Sequence, residues 1–479
     1  MTNGTHTVEK IGGTTMSKVH ELIDPLFIGD RDAAQIYNRV FVVSAFGGIT
    51  NLLLEHKKSG KPGVYALFIN DEDDHGWLDA LNEVSAAMRE AHAEVLEHKA
   101  DIQLADDFVR DRMEGARSCL FDIQRICSYG HFRLSTQLMV IRELLSGLGE
   151  AHSAFVTALM LQRRGVAARF VDLTGWRDEA EKTLEQRIAA GLDEVDLTSE
   201  LPIVTGYAQC TEGLMKEFDR GYSEVTFSRI AAQSQAREAI IHKEFHLSSA
   251  DPKIVGADAV KKLGQTNYDV ADQLSNMGME AIHPSAAKTL RRAGVPLRVA
   301  NAFDAGDPGT LIDDRPADKA AVEIVTGLPI VAIELFEQDM VGVKGYDAAI
   351  LEAMRKNNVW IVSKSSNANT ITHFVAAVSR DKVRRVVEEL EALYPAATIT
   401  DEALSLVSVI GRDLRGLRVL SRGLAALDEQ EIDVIAAQQT SRRVDSQFVV
   451  ARDAQSAAVK ALHDEFFPVK AEATKLKAA

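Results

Sequence analysis

Several short stretches of this sequence hold residues whose types and spacing could do chemistry. The first is Val8-Glu9-Lys10-Ile11-Gly12-Gly13-Thr14-Thr15. Two adjacent glycines let a backbone come close to a ligand, and their N–H groups can form a concavity for an anion. With Lys10 just before them, Gly12 and Gly13 could grip a nucleotide's phosphates while the ammonium neutralises charge on a transferring phosphoryl group. An ordinary strand-to-helix turn would carry the same residues. A second turn answers the first: Val40 to Asn51 reads as an apolar strand running into Ser44-Ala45-Phe46-Gly47-Gly48-Ile49-Thr50-Asn51. Both turns place Gly-Gly and a hydroxyl where a strand ends and a helix begins, the place where open α/β sheets bind ligands.

Further along, Gly149-Glu150 sets a carboxylate that could hold an amino acid's ammonium, or that simply suits the first turn of a helix. Gly147-x-Gly149 begins like a dinucleotide fingerprint, but His152 stands where the third glycine belongs and no strand precedes it, so that reading is rejected. In Asp219-Arg220-Gly221-Tyr222-Ser223-Glu224-Val225-Thr226, the planar fork of Arg220 matches a carboxylate bidentately. The same residues could also be a turn followed by a helix that Ser223 caps. No G-x-x-x-x-G-K-[ST] occurs, which excludes only the P-loop route to phosphoryl transfer.

A chain of 479 residues must divide into two or three domains to position these groups. Apolar residues make up 46%, enough for sizeable cores, and no run of about 18 apolar residues offers a bilayer span. The net charge of −16 argues against nucleic acid as partner, because phosphate backbones attract basic faces. Neither a membrane partner nor a secretory signal is expected, and cytoplasm is the expected compartment. Cys119, Cys127 and Cys210 lack metal-ligand spacing and are read as reduced residues, and no side chain is assigned as a metal ligand. Trp77 to about Leu120 and Phe132 to Gly165 have helical periodicity, while Gly165–Asp172, Leu201–Tyr207 and Val295–Asn301 read as strands.

Taken together, K-x-G-G-T followed by V-V-S-A-x-G-G-x-T-N resembles the amino-terminal half of an aspartate kinase. The resemblance covers about residues 8 to 313. It implies an α/β fold, a three-layer open sheet of the amino-acid kinase (carbamate kinase-like) type. It implies ATP and Mg²⁺ as cofactors and L-aspartate as acceptor, giving 4-phospho-L-aspartate. Lys10, Gly12 and Gly13 become catalytic, and Thr50, Glu150 and Arg220 hold aspartate. Gly47, Gly48, Ser223, Glu224, Asp251 and Lys253 face the nucleotide. The chain departs from the family pattern at Tyr222 and Glu224, in place of glycine and aspartate. Around Asp251-Pro252-Lys253 it has His242, Lys243 and Ser248 instead of a Thr-Asp pair and a tyrosine, and Glu280 replaces a nucleotide-contacting lysine. The wording around Lys10, Tyr222 and His242-Lys243-Glu244-Phe245-His246 is similar to the specialised members that feed ectoine synthesis.

Asp313 to Lys319 is a polar, proline-containing link, after which strands and helices alternate in a β-α-β-β-α-β order given twice, the ferredoxin-like plan. Behind a kinase-like domain this resembles paired ACT modules, which bind amino-acid effectors and dimerise. The expected division is 1–313 catalytic, 314–328 linker, 329–400 first ACT-like domain and 401–470 second. A homodimer or higher homo-oligomer through these modules is expected, with Gln338, Asp339, Met340, Asn367 and Asn369 as effector contacts. The alternatives are a non-catalytic amino-acid-sensing or partner-binding subunit, or a kinase of another acidic amino acid.

Overall fold

The computed structural model describes residues 4–57, 59–70, 76–218, 221–279, 281–377 and 380–468. Its first strands are β1 (Thr7–Ile11), β2 (Arg39–Val43), β3 (Ala168–Val171) and β4 (Leu201–Thr205). Then come β5 (Glu238–Lys243), β6 (Gln265–Asn267), β7 (Leu297–Asn301) and β8 (Thr310–Asp313). The C-terminal part contributes β9 (Ile324–Phe336), β10 (Ile361–Ser366), β11 (Thr370–Ala376), β12 (Thr398–Ile410), β13 (Val434–Gln439) and β14 (Asp445–Ala451). The chain forms two compact units, Met1–His246 with Ile282–Asp313, and Leu247–Ala281 with Asp314–Ala479. Residues 247–281, expected in the catalytic domain, thus group with the C-terminal unit.

In the first unit the strand order is β3-β4-β2-β1-β5-β7-β8. All pairs are parallel except β7 with β8. The strands β1, β2 and β4 are buried along their whole length, as a sheet covered on both faces requires. Register matters most for the site. Ile11 lies opposite Val43 on one side and His242 on the other, and Val43 lies opposite Thr205. The turns leaving β1, β2, β4 and β5 therefore emerge side by side.

The helical excursion is two helices, Gly76–Val95 and Lys99–Cys127, broken at His98, whose extended backbone starts the second. Helix Leu138–Arg163 is apolar and long enough to cross a bilayer, yet 83% of its apolar window is buried inside the protein. Its length serves the core. Gly149 in that helix is required by a close approach, since a Cβ there would sit 2.9 Å from Ala45 Cβ and 3.0 Å from Ile49 Cγ2. Ser153 Oγ donates to Ser44 O at 2.8 Å, which fixes the helix beneath the second glycine turn.

The second unit carries a sheet of order β10-β11-β9-β12-β14-β13. The expected repeat is present, but its halves are interleaved. β9 starts at Ile324, inside the segment read as linker, and pairs with β12 along all 13 residues, Ile324 opposite Ile410 and Phe336 opposite Thr398. The back half of β9 opens the first module, and its front half supplies the last strand of the second. β12 likewise runs through the expected boundary at 400/401. Two cores result: Ile333, Leu335, Ile350, Met354, Val386 and Leu390 in one, and Val325, Val407, Val409, Phe448, Val459 and Leu462 in the other.

Candidate active site

Lys10 ends up in a strand yet serves a turn. Its side chain is 8% exposed, and the ammonium lies 3.9 Å from where a Cβ on Gly12 would sit, folded over the first glycine turn. Gly12 is extended, and Gly13 begins the helical turn Gly13–Met16. Ser44 N–H donates to Ile11 O at 3.1 Å, so the second glycine turn starts beside the first. Gly48 has φ +89, a conformation that suits glycine. In this turn, expected to face the nucleotide, the Gly47 N–H donates to Ser17 Oγ at 2.8 Å. Thr50 is half-buried in helix Ile49–Leu53.

Helix Tyr222–Gln233 points its first turn at both halves of the site. Glu224 Oε1 receives Lys10 Nζ at 3.4 Å and Lys243 Nζ at 3.6 Å, and the backbone N–H of His283 donates to Oε2. Burial raises the Glu224 pKa, but the two ammoniums and that N–H outweigh it, and the carboxyl is held below its ordinary value. Ser223, expected beside the nucleotide, instead donates from Oγ to Glu150 Oε1 at 2.6 Å. Consecutive residues thus reach different partners, Ser223 the carboxylate of Glu150 and Glu224 the two ammoniums, since helical neighbours point about 100° apart.

Glu150 is 2% exposed, and burial pushes its pKa up to about 8 against the bonds from Ser223, the charge of Lys10 and the nearby N–H groups of Tyr207 and Ala45. Its Oε2 has no well-formed hydrogen bond among the described residues. A buried acidic oxygen in that state is suited to a cationic ligand. Gly206 is needed beside it, since a Cβ there would lie 2.9 Å from Glu150 Oε2 and 2.8 Å from Ser223 Cβ.

Arg220, like Glu280, is outside the described residues. Asp251 and Lys253 are exposed in the second unit, where Asp251 caps helix Pro252–Val255 by accepting from Lys253 N–H at 2.8 Å. In the effector set, Met340 is a buried core residue, because its side chain fills the first module's core. Glu337 N–H donates to Asn369 O at 3.0 Å, which brings the Gln338–Met340 turn beside Asn369. Asn367 Oδ1 instead accepts from the N–H groups of Asn369 and Thr370. Asn367 also lines a hollow of about 270 Å³ with Glu334, Thr372, Thr400 and Glu402.

Two groups escaped the sequence reading. Lys243 was visible only as a departure, and its role depends on strand register. His246, Asp304 and Asp307 gather within 4.8 Å, with His246 Nε2 facing Asp304 at 3.0 Å and Nδ1 facing Asp307 at 3.6 Å. His246 is far in sequence from the two aspartates, so spacing gave no signal. His152, not expected to be catalytic, bonds His92 at 3.0 Å with its ring against Phe46. Burial lowers its pKa to about 3.

Comparison with known proteins adds independent findings. Residues 6–301 match the amino acid kinase family. The chain is 50% identical to aspartate kinase Ask_Ect of Stutzerimonas stutzeri (strain A1501), over 96% of both chains. It is 25% identical to chloroplastic aspartokinase 3 of Arabidopsis thaliana, over 96% of this chain and 81% of that one. Among solved structures, E. coli aspartokinase III in complex with lysine and aspartate (T-state) superposes with a TM-score of 0.74 at 18% identity, covering 97% of this chain and all of that one. The same enzyme with aspartate and ADP (R-state) gives 0.69, covering 96% of this chain and all of that one. At this identity these two matches speak for the fold.

Proposed function

This chain belongs to the amino acid kinase family, and within it to the aspartate kinases, and from that premise we propose how its residues move the γ-phosphoryl group of ATP to the β-carboxylate of L-aspartate. The observation that carries the reading is the adjacent pair Ser223 and Glu224. One touches Glu150, the other touches Lys10, so a single helix start ties an ammonium-accepting carboxylate to a phosphate-gripping cation.

Glu150 receives the α-ammonium of aspartate, Thr50 and Arg220 complete the hold on that substrate, and Lys10 with the Gly12-Gly13 turn faces the triphosphate. The attacking oxygen needs no general base, because an aspartate carboxyl, which ordinarily titrates near pH ~3.9, is ionised at neutral pH. A bond forms between that oxygen and the γ-phosphorus as the bridge to the β-phosphate breaks, and ADP leaves with the electrons. Catalysis is therefore positioning and charge stabilisation. Mg²⁺ enters with ATP as part of the substrate, since Glu224 is already committed to two ammoniums and Glu150 to Ser223. On the phosphates it would offset the repulsion between two anionic reactants. The ectoine branch as pathway, the cytoplasm as compartment and a homodimer through the ferredoxin-like modules belong to the same proposal, supported by the 50% identical relative and by the sheet of the second unit.

The test is ADP release with Mg-ATP and L-aspartate, L-glutamate or no acceptor. Activity with aspartate alone is expected. Binding of amino acids without ADP release above background would replace the kinase reading with an amino-acid-sensing subunit.

Glu150 supplies a second expectation. In the ligand-free protein its carboxyl is protonated below about pH 8, whereas the bound ammonium requires the anion. Aspartate binding near neutral pH should release a proton and strengthen about tenfold per unit as pH rises, levelling above 8. Without ligand the sign for stability is opposite: the native state holds the extra proton, so stability falls as pH climbs from about 4.5 to 8. Calorimetry in two buffers of different ionisation heat reads the proton directly, and no release would remove Glu150 from this role.

A further inference from the structure

We propose that Lys243 is a second phosphate-gripping cation of the transfer step, acting with Lys10 on the phosphoryl group in flight. This rests on the kinase reading and adds a residue to it. Lys10 from β1 and Lys243 from the end of β5 place their ammoniums on the same oxygen of Glu224, at 3.4 and 3.6 Å. The other oxygen accepts from the His283 N–H, so the carboxylate is fixed from both sides and in turn fixes both cations.

Register explains why Lys243 and not its neighbour reaches this place. Lys10 lies opposite Ile241 and Glu9 opposite Ile240. Side chains alternate between faces along a strand, so Lys243 shares the face of Lys10 while His242 shares the face of Glu9. The contacts follow that division: His242 Nε2 meets Glu9 Oε2 at 2.8 Å in a closed, buried cluster, and Lys243, 21% exposed, turns toward Glu224.

Two ammoniums drawn to one carboxylate oxygen repel each other, and for side chains only 8%, 13% and 21% exposed the loss of hydration offsets much of their attraction to it. The arrangement therefore does not explain itself as a brace for Glu224. An anion whose charge is spread over several oxygens would relieve that repulsion, and a transferring phosphoryl group is such an anion. Glu224 is the spacer that holds the two cations ready before the nucleotide arrives, so no reorganisation is needed at the moment of reaction.

The experiment compares wild type, Lys243→Met and Lys243→Arg for kcat, for KM of L-aspartate and for calorimetric affinity toward ADP and a non-hydrolysable ATP analogue. Lys243→Met should lower kcat about 10²-fold and weaken the ATP analogue roughly tenfold more than ADP, with KM for aspartate little changed. Lys243→Arg keeps the charge and should recover part of kcat. Wild-type kcat in Lys243→Met overturns the proposal. So does equal weakening of both nucleotides, which would mark Lys243 as a support for Glu224 alone. Thermal melting checks each variant, and Lys243→Gln carries the same test if Lys243→Met does not fold. Failure of wild type to release ADP with aspartate would instead count against the kinase reading itself.

Discussion

Lys10→Ala is expected to lower kcat for ADP release about 10²-fold or more, with a smaller change in KM for either substrate, because its ammonium acts on charge that peaks in the transition state. The fold should persist. Glu224 retains Lys243 and the His283 N–H when Lys10 is gone, so its charge is not left alone among the described residues. Steady-state kinetics with a thermal melt separates the two effects: a fall of less than about tenfold with an unchanged melt would remove Lys10 from the chemistry. Lys10→Arg should rescue poorly, because a guanidinium is a wide planar fork where the Gly12 turn receives a compact ammonium.

The second large effect concerns stability. Glu9, 3% exposed, accepts from Arg39 Nε at 2.7 Å and Nη2 at 3.1 Å, from Thr7 Oγ1 at 2.9 Å, and faces His242 Nε2 at 2.8 Å. Arg39 also donates to Phe27 O and Leu26 O, so the cluster staples β1, β2 and β5 to residues 26–27. Breaking one partner of such a pair costs about 3–5 kcal/mol, since the other charge stays buried. Glu9→Ala should therefore lower the melting midpoint by roughly 10 °C. Removing both charges, Glu9→Met with Arg39→Met, should lose much less. A single variant that melts with wild type would refute the account. The pH sign follows from the Glu9 carboxyl: burial raises its pKa, and Arg39 with His242 more than reverses this, well below its ordinary 4.5. Its contribution is present above about pH 4.5 and fades as pH falls toward the folded value.

What the sequence revealed and what it hid divide along a physical line. Most local signals were sound: the glycine turns follow β1 and β2, and helix Leu138–Arg163 lies where the apolar period puts it, although Glu150 sits well inside that helix and not in a first turn. Assignments that depend on which neighbour a side chain meets were not legible. Ser223 and Glu224 were both read as nucleotide-side, yet a rotation of one helical position sends Ser223 to Glu150. That Ser17 Oγ accepts from the Gly47 N–H is likewise a contact that nothing in the sequence announces. β9 reaches back to Ile324 through Gly327, inside the segment 314–328 that reads as link. Pro329 is tolerated there because β11 pairs with β9 only from Ile330 onward. β12 crosses the expected boundary at 400/401, which its opening Thr398 to Ala403, mostly polar and exposed, does not mark as strand.

The shared strands of the second unit make the two modules inseparable. A slip of β9 by one residue against β12 would turn the inward side chains of β9 outward, taking Ile333 and Leu335 from one cluster and Val325 from the other in the same step. Neither half can err alone. Cutting the chain between them, at residue 400, would split β12, leaving one fragment an unpaired β9 edge and the other an unpaired β12 edge, each a template for aggregation. The pair is thus inherited, transplanted or lost as a single piece, and any graft onto another enzyme must begin before Ile324 and carry through Phe466.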